Sequence, residues 1–268
     1  MKNTDDSGQQ TNQKSQKSQE KQLPLIMGFN KTSEAGFNVF APSIFLFGCN
    51  LRCPYCMNGR IVVVKPEDHD RPVKTVPLDR VKQYVKENNS GWVMISGGEP
   101  TLTPSAKLHN LLDEIISWGC KIGMSSNGTL PEVLESILPK LNYVAMDLKT
   151  DNDQIYKDLE VRKKHKDSVV NNVLRSKALL DKNKKEREDF DFEVRTTIYP
   201  EYFSFDTIKN FSKFVDIGDT WVLQQFRHAK NMLYQKEAES VTPYSHEDME
   251  NMLIEAKKIC PNTYLRYV

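Results

Sequence analysis

The chain is 268 residues long and carries 37 Lys and Arg against 36 Asp and Glu, a formal net charge of +1. That length holds one large α/β domain or two small ones with a sizeable core, and the balanced charge argues against a surface made for nucleic acid or another polyanion. No apolar run approaches the roughly 20 residues of a membrane span and no signal-peptide core is visible, so a cytoplasmic protein without a membrane partner is expected.

Residues 1–22 contain no apolar side chain after Met1. They cannot bury enough surface to offset the entropy of ordering, so a disordered tail is expected there. Residues 23–268 read as one domain. Apolar runs at 42–47, 92–98, 121–127, 143–149, 192–200 and 220–226, with a further one at 263–268, alternate with amphipathic stretches near 77–88, 104–118, 131–139, 168–185, 204–214 and 244–258. Strand and helix repeated without a hairpin signal mean parallel strands joined by right-handed crossovers. The expected fold class is therefore α/β, a partial (βα)6 TIM-like barrel.

The unusual residues fall at the C-terminal ends of those strands. Three cysteines follow the first run, Gly97-Gly98-Glu99-Pro100 the second and Ser126-Asn127-Gly128 the third. Asp147 and Lys149 end the fourth, Arg195 lies on the fifth, and Gln224-Gln225 on the sixth. In a parallel barrel those ends share one face, and that face holds the active site.

Cys49, Cys53 and Cys56 have the spacing C-x3-C-x2-C on a loop shaped by Gly48 and Pro54. Five cysteines in all, odd in number and unevenly spread, fit a reducing compartment and metal or redox use better than disulfides. A zinc-stabilised interaction module would need a fourth protein ligand in closed tetrahedral geometry. Cys120 and Cys260 could supply it, yet both fall at the N-terminal side of a strand in this layout. A cubane iron–sulfur cluster also usually takes four cysteines. With three, one iron is left open, and an open metal position is a substrate site.

"GCNLRCPYC", followed about forty residues later by "ISGGEPTL", resembles the radical S-adenosylmethionine superfamily, in which S-adenosylmethionine chelates the open iron of a 4Fe–4S cluster through its amino and carboxylate groups. "SSNGTLPEVL" and "YVAMDLKT" are similar to the glycyl-radical-enzyme activases, and "VRTTIYP" with "WVLQQFR" to the type that activates anaerobic ribonucleoside-triphosphate reductase. The resemblance runs from about Gly28 to the C-terminus. It implies that Tyr55 borders the adenine and that the Gly97-Gly98 backbone meets the methionine amino group, with Glu99 and Pro100 fixing the turn. It also implies that Lys149 holds the cofactor carboxylate with Asp147 near it, and that Asn127 lies on the ribose side. Arg195 is a further candidate for the carboxylate or ribose.

Each of these residues also has a plainer explanation. Tyr55 could pack the loop, Asn127 could only form its turn, and Asp147 could pair with Lys149 or Arg195 as a structural ion pair at the barrel mouth. His228 is left unassigned. The chain departs from the activases in reading Ser125-Ser126-Asn127-Gly128 where they have Asp-Thr-Asn-Gly, which bears on any monovalent-cation site. The chemistry implied is reductive cleavage of S-adenosylmethionine to methionine and a 5′-deoxyadenosyl radical, with electrons from a flavodoxin- or ferredoxin-type donor. The radical would take hydrogen from a glycine of a partner enzyme. A radical enzyme acting on a small molecule or tRNA would share every motif up to Lys149.

Overall fold

Among the residues described by a computed structural model, 22–30, 41–62, 74–160, 168–230 and 232–267, eight strands form one sheet ordered as they occur in the chain. They are β1 (Ile26–Asn30), β2 (Ser43–Leu46), β3 (Trp92–Gly97), β4 (Lys121–Ser126), β5 (Tyr143–Asp147), β6 (Asp191–Ile198), β7 (Trp221–Gln225) and β8 (Thr263–Arg266). From β2 to β8 every neighbouring pair is parallel, as repeated strand–helix units require. The run at 263–268 joins the set as β8. The expected partial barrel of parallel strands is what the chain forms.

Eight α-helices among the described residues accompany the strands: α1 (Gly59–Val62), α2 (Leu78–Glu87), α3 (Ser105–Ser117), α4 (Pro131–Ile137), α5 (Asp153–Leu159), α6 (Val169–Glu186), α7 (Gln235–Ser240) and α8 (His246–Lys257). Their apolar stripes decide which side packs inward. In α3, Leu108, Leu111, Leu112 and Ile115 recur at helical spacing and are all fully buried. The start of α6 is fixed by Ser168, whose hydroxyl accepts from the Asn171 amide, and that of α8 by a reciprocal Ser245–Asp248 capping box.

Alternation along the strands separates two apolar layers. Val93, Ile95, Val144 and Met146 join the large cluster shared with the helices. Met94, Tyr143 and Ala145, with Ala41, form a small second cluster beneath the site. One cavity touches the loop after β2 and residues of every strand from β3 to β8. The sheet must curl to bring them together.

Three features differ from the sequence expectation. β1 was not foreseen; it pairs antiparallel with β2 and carries a register shift between Ile26 and Gly28, which erases any clean period-two signal. The stretch at 204–214 forms a 3-10 run, Phe205–Lys213, rather than an α-helix. The short helices α1, α5 and α7 lie outside the amphipathic stretches expected from the sequence. The expected tail lies outside the described residues except for Gln22, whose carbonyl accepts from Asn110 Nδ2 at 3.1 Å. No described helix is long and apolar enough to cross a membrane.

Candidate active site

The cavity at the C-terminal ends of the strands has a volume of about 450 Å³. Every site residue singled out from the sequence lines it: Cys49, Cys53, Tyr55, Cys56, Gly97, Gly98, Glu99, Asn127, Asp147, Lys149 and Arg195. They come from five strand ends.

The cysteine loop is braced from several directions. Arg52 donates to the carbonyls of Cys49 and Leu51 at 2.8 and 2.9 Å, and its own amide donates to Leu159 O at 2.9 Å. The Leu233 amide donates to Cys56 O at 2.9 Å. All three thiols are free. Burial pushes Cys49 up to about 12, with the Glu99 carboxylate adding to the shift. Burial also lifts Cys53 to about 11, partly offset by Lys149, and raises Cys56 as well. Such thiols stay protonated at neutral pH, and binding a metal cluster must expel the protons.

The glycine turn after β3 is packed backbone to backbone. Gly97 has φ +113°, and a Cβ on Gly98 would stand 1.8 Å from Gly48 O. Gly98 N donates to Leu46 O and Glu99 N to Gly48 O, at 2.9 and 2.8 Å. Asn58 Nδ2 caps Gly97 O at 2.8 Å. The turn is thereby held against the residue that precedes Cys49.

Glu99, only 2 % exposed, ties two strand ends together. Its Oε1 accepts from the Thr101 amide and hydroxyl and from Ser126 Oγ, and its Oε2 from the Asn127 amide at 2.7 Å. Burial raises its pKa and these donors pull it back. Its oxygens are engaged within the protein, so Glu99 acts as a fastener. Asn127 does similar work: its Oδ1 accepts from the Thr129 amide and hydroxyl, and its Nδ2 donates to Asn50 Oδ1 at 2.9 Å, joining the β4 turn to the cysteine loop.

Asp147 lies between two cations, 2.9 Å from Arg195 Nε and 3.4 Å from Lys149 Nζ. Burial alone would raise its pKa, but Arg195 and Lys149 more than offset that and hold it below the usual carboxylate value. For Lys149 burial works toward deprotonation, and Asp147 outweighs it and keeps the ammonium charged. The ion pairs that the sequence allowed are thus present. Tyr55 is buried against Tyr199 at a ring distance of 4.9 Å. Its buried hydroxyl has no hydrogen-bond partner among the described residues.

Arg266 and Asn58 escaped the sequence reading. Arg266, on β8, lines the cavity and grips Glu193 through two bonds of 2.9 and 3.0 Å. Its signal was the alternation of Tyr264 and Arg266 with Thr263 and Leu265. His228 hydrogen-bonds Val241 O at 2.9 Å and packs edge-on to Phe226, a structural role.

The donor set can be tested against the two metal sites considered. A closed tetrahedral zinc site needs a fourth protein ligand beside Cys49, Cys53 and Cys56, which line one cavity. Cys120 and Cys260 sit at the opposite end of the sheet, donating to Ser90 O and Asp219 O at 3.4 and 3.3 Å. The cavity thus holds three cysteines and no fourth, which leaves one metal position open, as in a cluster with one exogenous ligand. Ser125 Oγ, buried and unpartnered among the described residues, is a polar group the same cavity leaves for a ligand.

Fold and site together define a parallel partial barrel with a three-cysteine loop at the C-terminal ends of its strands. The sequence matches the family described as the Radical SAM superfamily over residues 43–185, 143 of its 268 positions, and the chain belongs to that superfamily. Its cofactors are accordingly a 4Fe–4S cluster and S-adenosylmethionine. It is 28% identical over 231 residues to a Methanocaldococcus jannaschii protein provisionally named a glycyl-radical enzyme activating enzyme, covering 84% of this chain and 88% of that one. It is 30% identical over 126 residues to 7-carboxy-7-deazaguanine synthase of Haemophilus influenzae, covering 45% of this chain and 50% of that one. Among solved structures, TYW1 with a lysine-pyruvate adduct superposes with a TM-score of 0.51 at 16% identity, over 82% of this chain and 74% of that one.

Proposed function

We propose that this radical S-adenosylmethionine enzyme is a glycyl-radical-enzyme activase whose substrate is a glycine of a partner protein, an anaerobic ribonucleoside-triphosphate reductase. One observation carries the choice: likeness to the archaeal activase spans 84% of this chain, whereas likeness to the deazaguanine synthase spans 45%. "VRTTIYP" and "WVLQQFR" supply the reductase specificity by resemblance.

When bound, the cluster and S-adenosylmethionine supply an electron-driven bond cleavage that yields a hydrogen-abstracting 5′-deoxyadenosyl radical, the electron coming from a flavodoxin- or ferredoxin-type donor. The chain's own part is holding and excluding. Cys49, Cys53 and Cys56 hold the cluster. The Gly97-Gly98 backbone receives the methionine amino group and Lys149 the carboxylate, with Asp147 holding the lysine's charge and Arg195 holding Asp147. Asn127 and Tyr55 border the ribose and adenine, and Glu99 keeps the turn that presents them. Buried apolar rings around Tyr55 keep water from the reacting centre.

Mixing the reduced holoenzyme, S-adenosylmethionine and the reductase should produce a glycine-centred doublet in electron paramagnetic resonance, absent when the target glycine is changed to Ala. Stoichiometric deoxyadenosine release driven by a small molecule or tRNA, with no radical on the reductase, would overturn the activase assignment.

A further inference from the structure

The residues assigned to the cofactor occupy the cysteine loop and the strand ends from β3 to β6, and the rest of the cavity wall is left over. That remaining wall is built by Thr197, Gln224, Gln225, Phe226, Arg227 and Arg266. Its charges are largely committed. Arg266 chelates Glu193 and donates to Tyr264 Oη at 2.9 Å, and Gln225 Nε2 donates to Tyr244 O at 2.9 Å. Arg227 is exposed at the mouth.

Thr197 and Gln224 remain. They are register partners on adjacent parallel strands, which places their backbones about 4.8 Å apart. Gln224 is also the register partner of Arg266. Both side chains are half-buried, and neither has a side-chain hydrogen bond among the described residues. A primary amide offers two donors and one acceptor, and a hydroxyl offers one donor and two lone pairs. That set is neutral. It matches the C=O and N–H of a peptide group, while a carboxylate would call for an uncommitted cation at the same depth.

We propose that Thr197 and Gln224 form a main-chain amide subsite, which seats a peptide group flanking the reacting glycine and favours an extended peptide over a carboxylated small molecule. The proposal rests on the activase reading and adds the specificity-determining residues to it. A glycine brings no side chain to clash with the wall, so orientation must come from its neighbouring amides. A pair of hydrogen bonds fixed on two strands supplies that orientation more rigidly than a loop does.

The test uses the reconstituted holoenzyme with S-adenosylmethionine and a capped peptide carrying the reductase's glycine loop, in three forms. One has every amide, and in each of the other two one of the amides flanking the glycine is replaced by an ester. Calorimetry on the native protein should show at least one ester weakening binding roughly three- to tenfold, the worth of one neutral hydrogen bond. In Gln224→Leu or Thr197→Val, each checked for native iron content, that preference should collapse toward unity. 7-Carboxy-7-deazaguanine should bind more weakly than the amide peptide. A native protein indifferent to the esters, or a preference that survives in both variants, overturns the subsite. If the reductase acquires its radical normally while these couplings are absent, the subsite fails and the activase reading stands. If no reductase acquires a radical and 7-carboxy-7-deazaguanine outcompetes the peptide, both fail.

Discussion

At the scale of single residues, Asp147 is the pivot of the site, because it neutralises two cations that would otherwise face each other. Arg195 and Lys149 both reach its carboxylate, and its side chain is only 22 % exposed. In Asp147→Asn the two cations lose their counter-charge while the shape is kept, a loss of roughly 3 kcal/mol for a buried network. The pH dependence has a definite sign. Asp147 has a folded pKa below its ordinary 3.8, so its charge contributes stability fully above that value, and the contribution is lost as pH falls through the folded pKa. Chemical denaturation of native and variant protein should therefore give a stability gap that is constant from pH 7 to about 4 and closes below it. A gap that instead closed between pH 5 and 7 would show that Asp147 titrates high and is not held by its cations.

At the scale of elements, the turn after β3 is built around an absent side chain. A Cβ on Gly98 would meet Gly48 O at 1.8 Å, a backbone atom that cannot swing away, whereas one on Gly218 would meet nothing within 4 Å. Gly98→Ala should cost at least about 3 kcal/mol and impair cluster loading, while Gly218→Ala should leave both near native. Thermal unfolding and iron content measure the pair, and equal behaviour of the two variants would remove the turn's claim on the cysteine loop. Elements and residues were legible in the sequence wherever their signal was local. The cysteine spacing lies within eight positions, and Asp147 and Lys149 are charges inside an apolar run. Asn58 could not be read, because its purpose is a carbonyl 39 positions away; Arg266 was marked only by the alternation of its short strand, since the Glu193 that holds it is 73 positions distant. The nine-residue run Phe205–Lys213 is too short for a period of 3.0 to be told from 3.6 by its apolar residues. In β1 the irregular pairing at Ile26 and Gly28 breaks the alternation that would have marked it.

At the scale of the whole molecule, a parallel sheet has two unlike ends. The C-terminal ends converge on the cavity, and the N-terminal ends carry structural polar contacts, among them Lys177 held by Asp181 and Asp219 at 2.6 and 2.9 Å. Cys120 and Cys260 precede β4 and β8 and belong to this second end. Their thiols donate to backbone carbonyls, and burial raises both pKa values, as suits small packed groups rather than ligands. The polarity of the fold therefore separates the five cysteines by place, three at the cavity and two at the opposite end. A double variant, Cys120→Ala with Cys260→Ala, should bind about four irons and four sulfides on anaerobic reconstitution, the same as expected of the native chain. Its cost should be in stability alone, roughly 1–2 kcal/mol per site for a lost buried hydrogen bond and a small void. Single changes of Cys49, Cys53 or Cys56 to Ala should abolish the cluster and its visible absorbance. Those at Cys49 and Cys56, half-buried at the cavity, should cost the apo-protein little stability, and that at Cys53, which also packs in the apolar core, somewhat more. If the double variant lost its iron, or if the native chain took up stoichiometric zinc and no reconstitutable cluster, one of the distant thiols would be a ligand, and the separation of the two ends would be wrong.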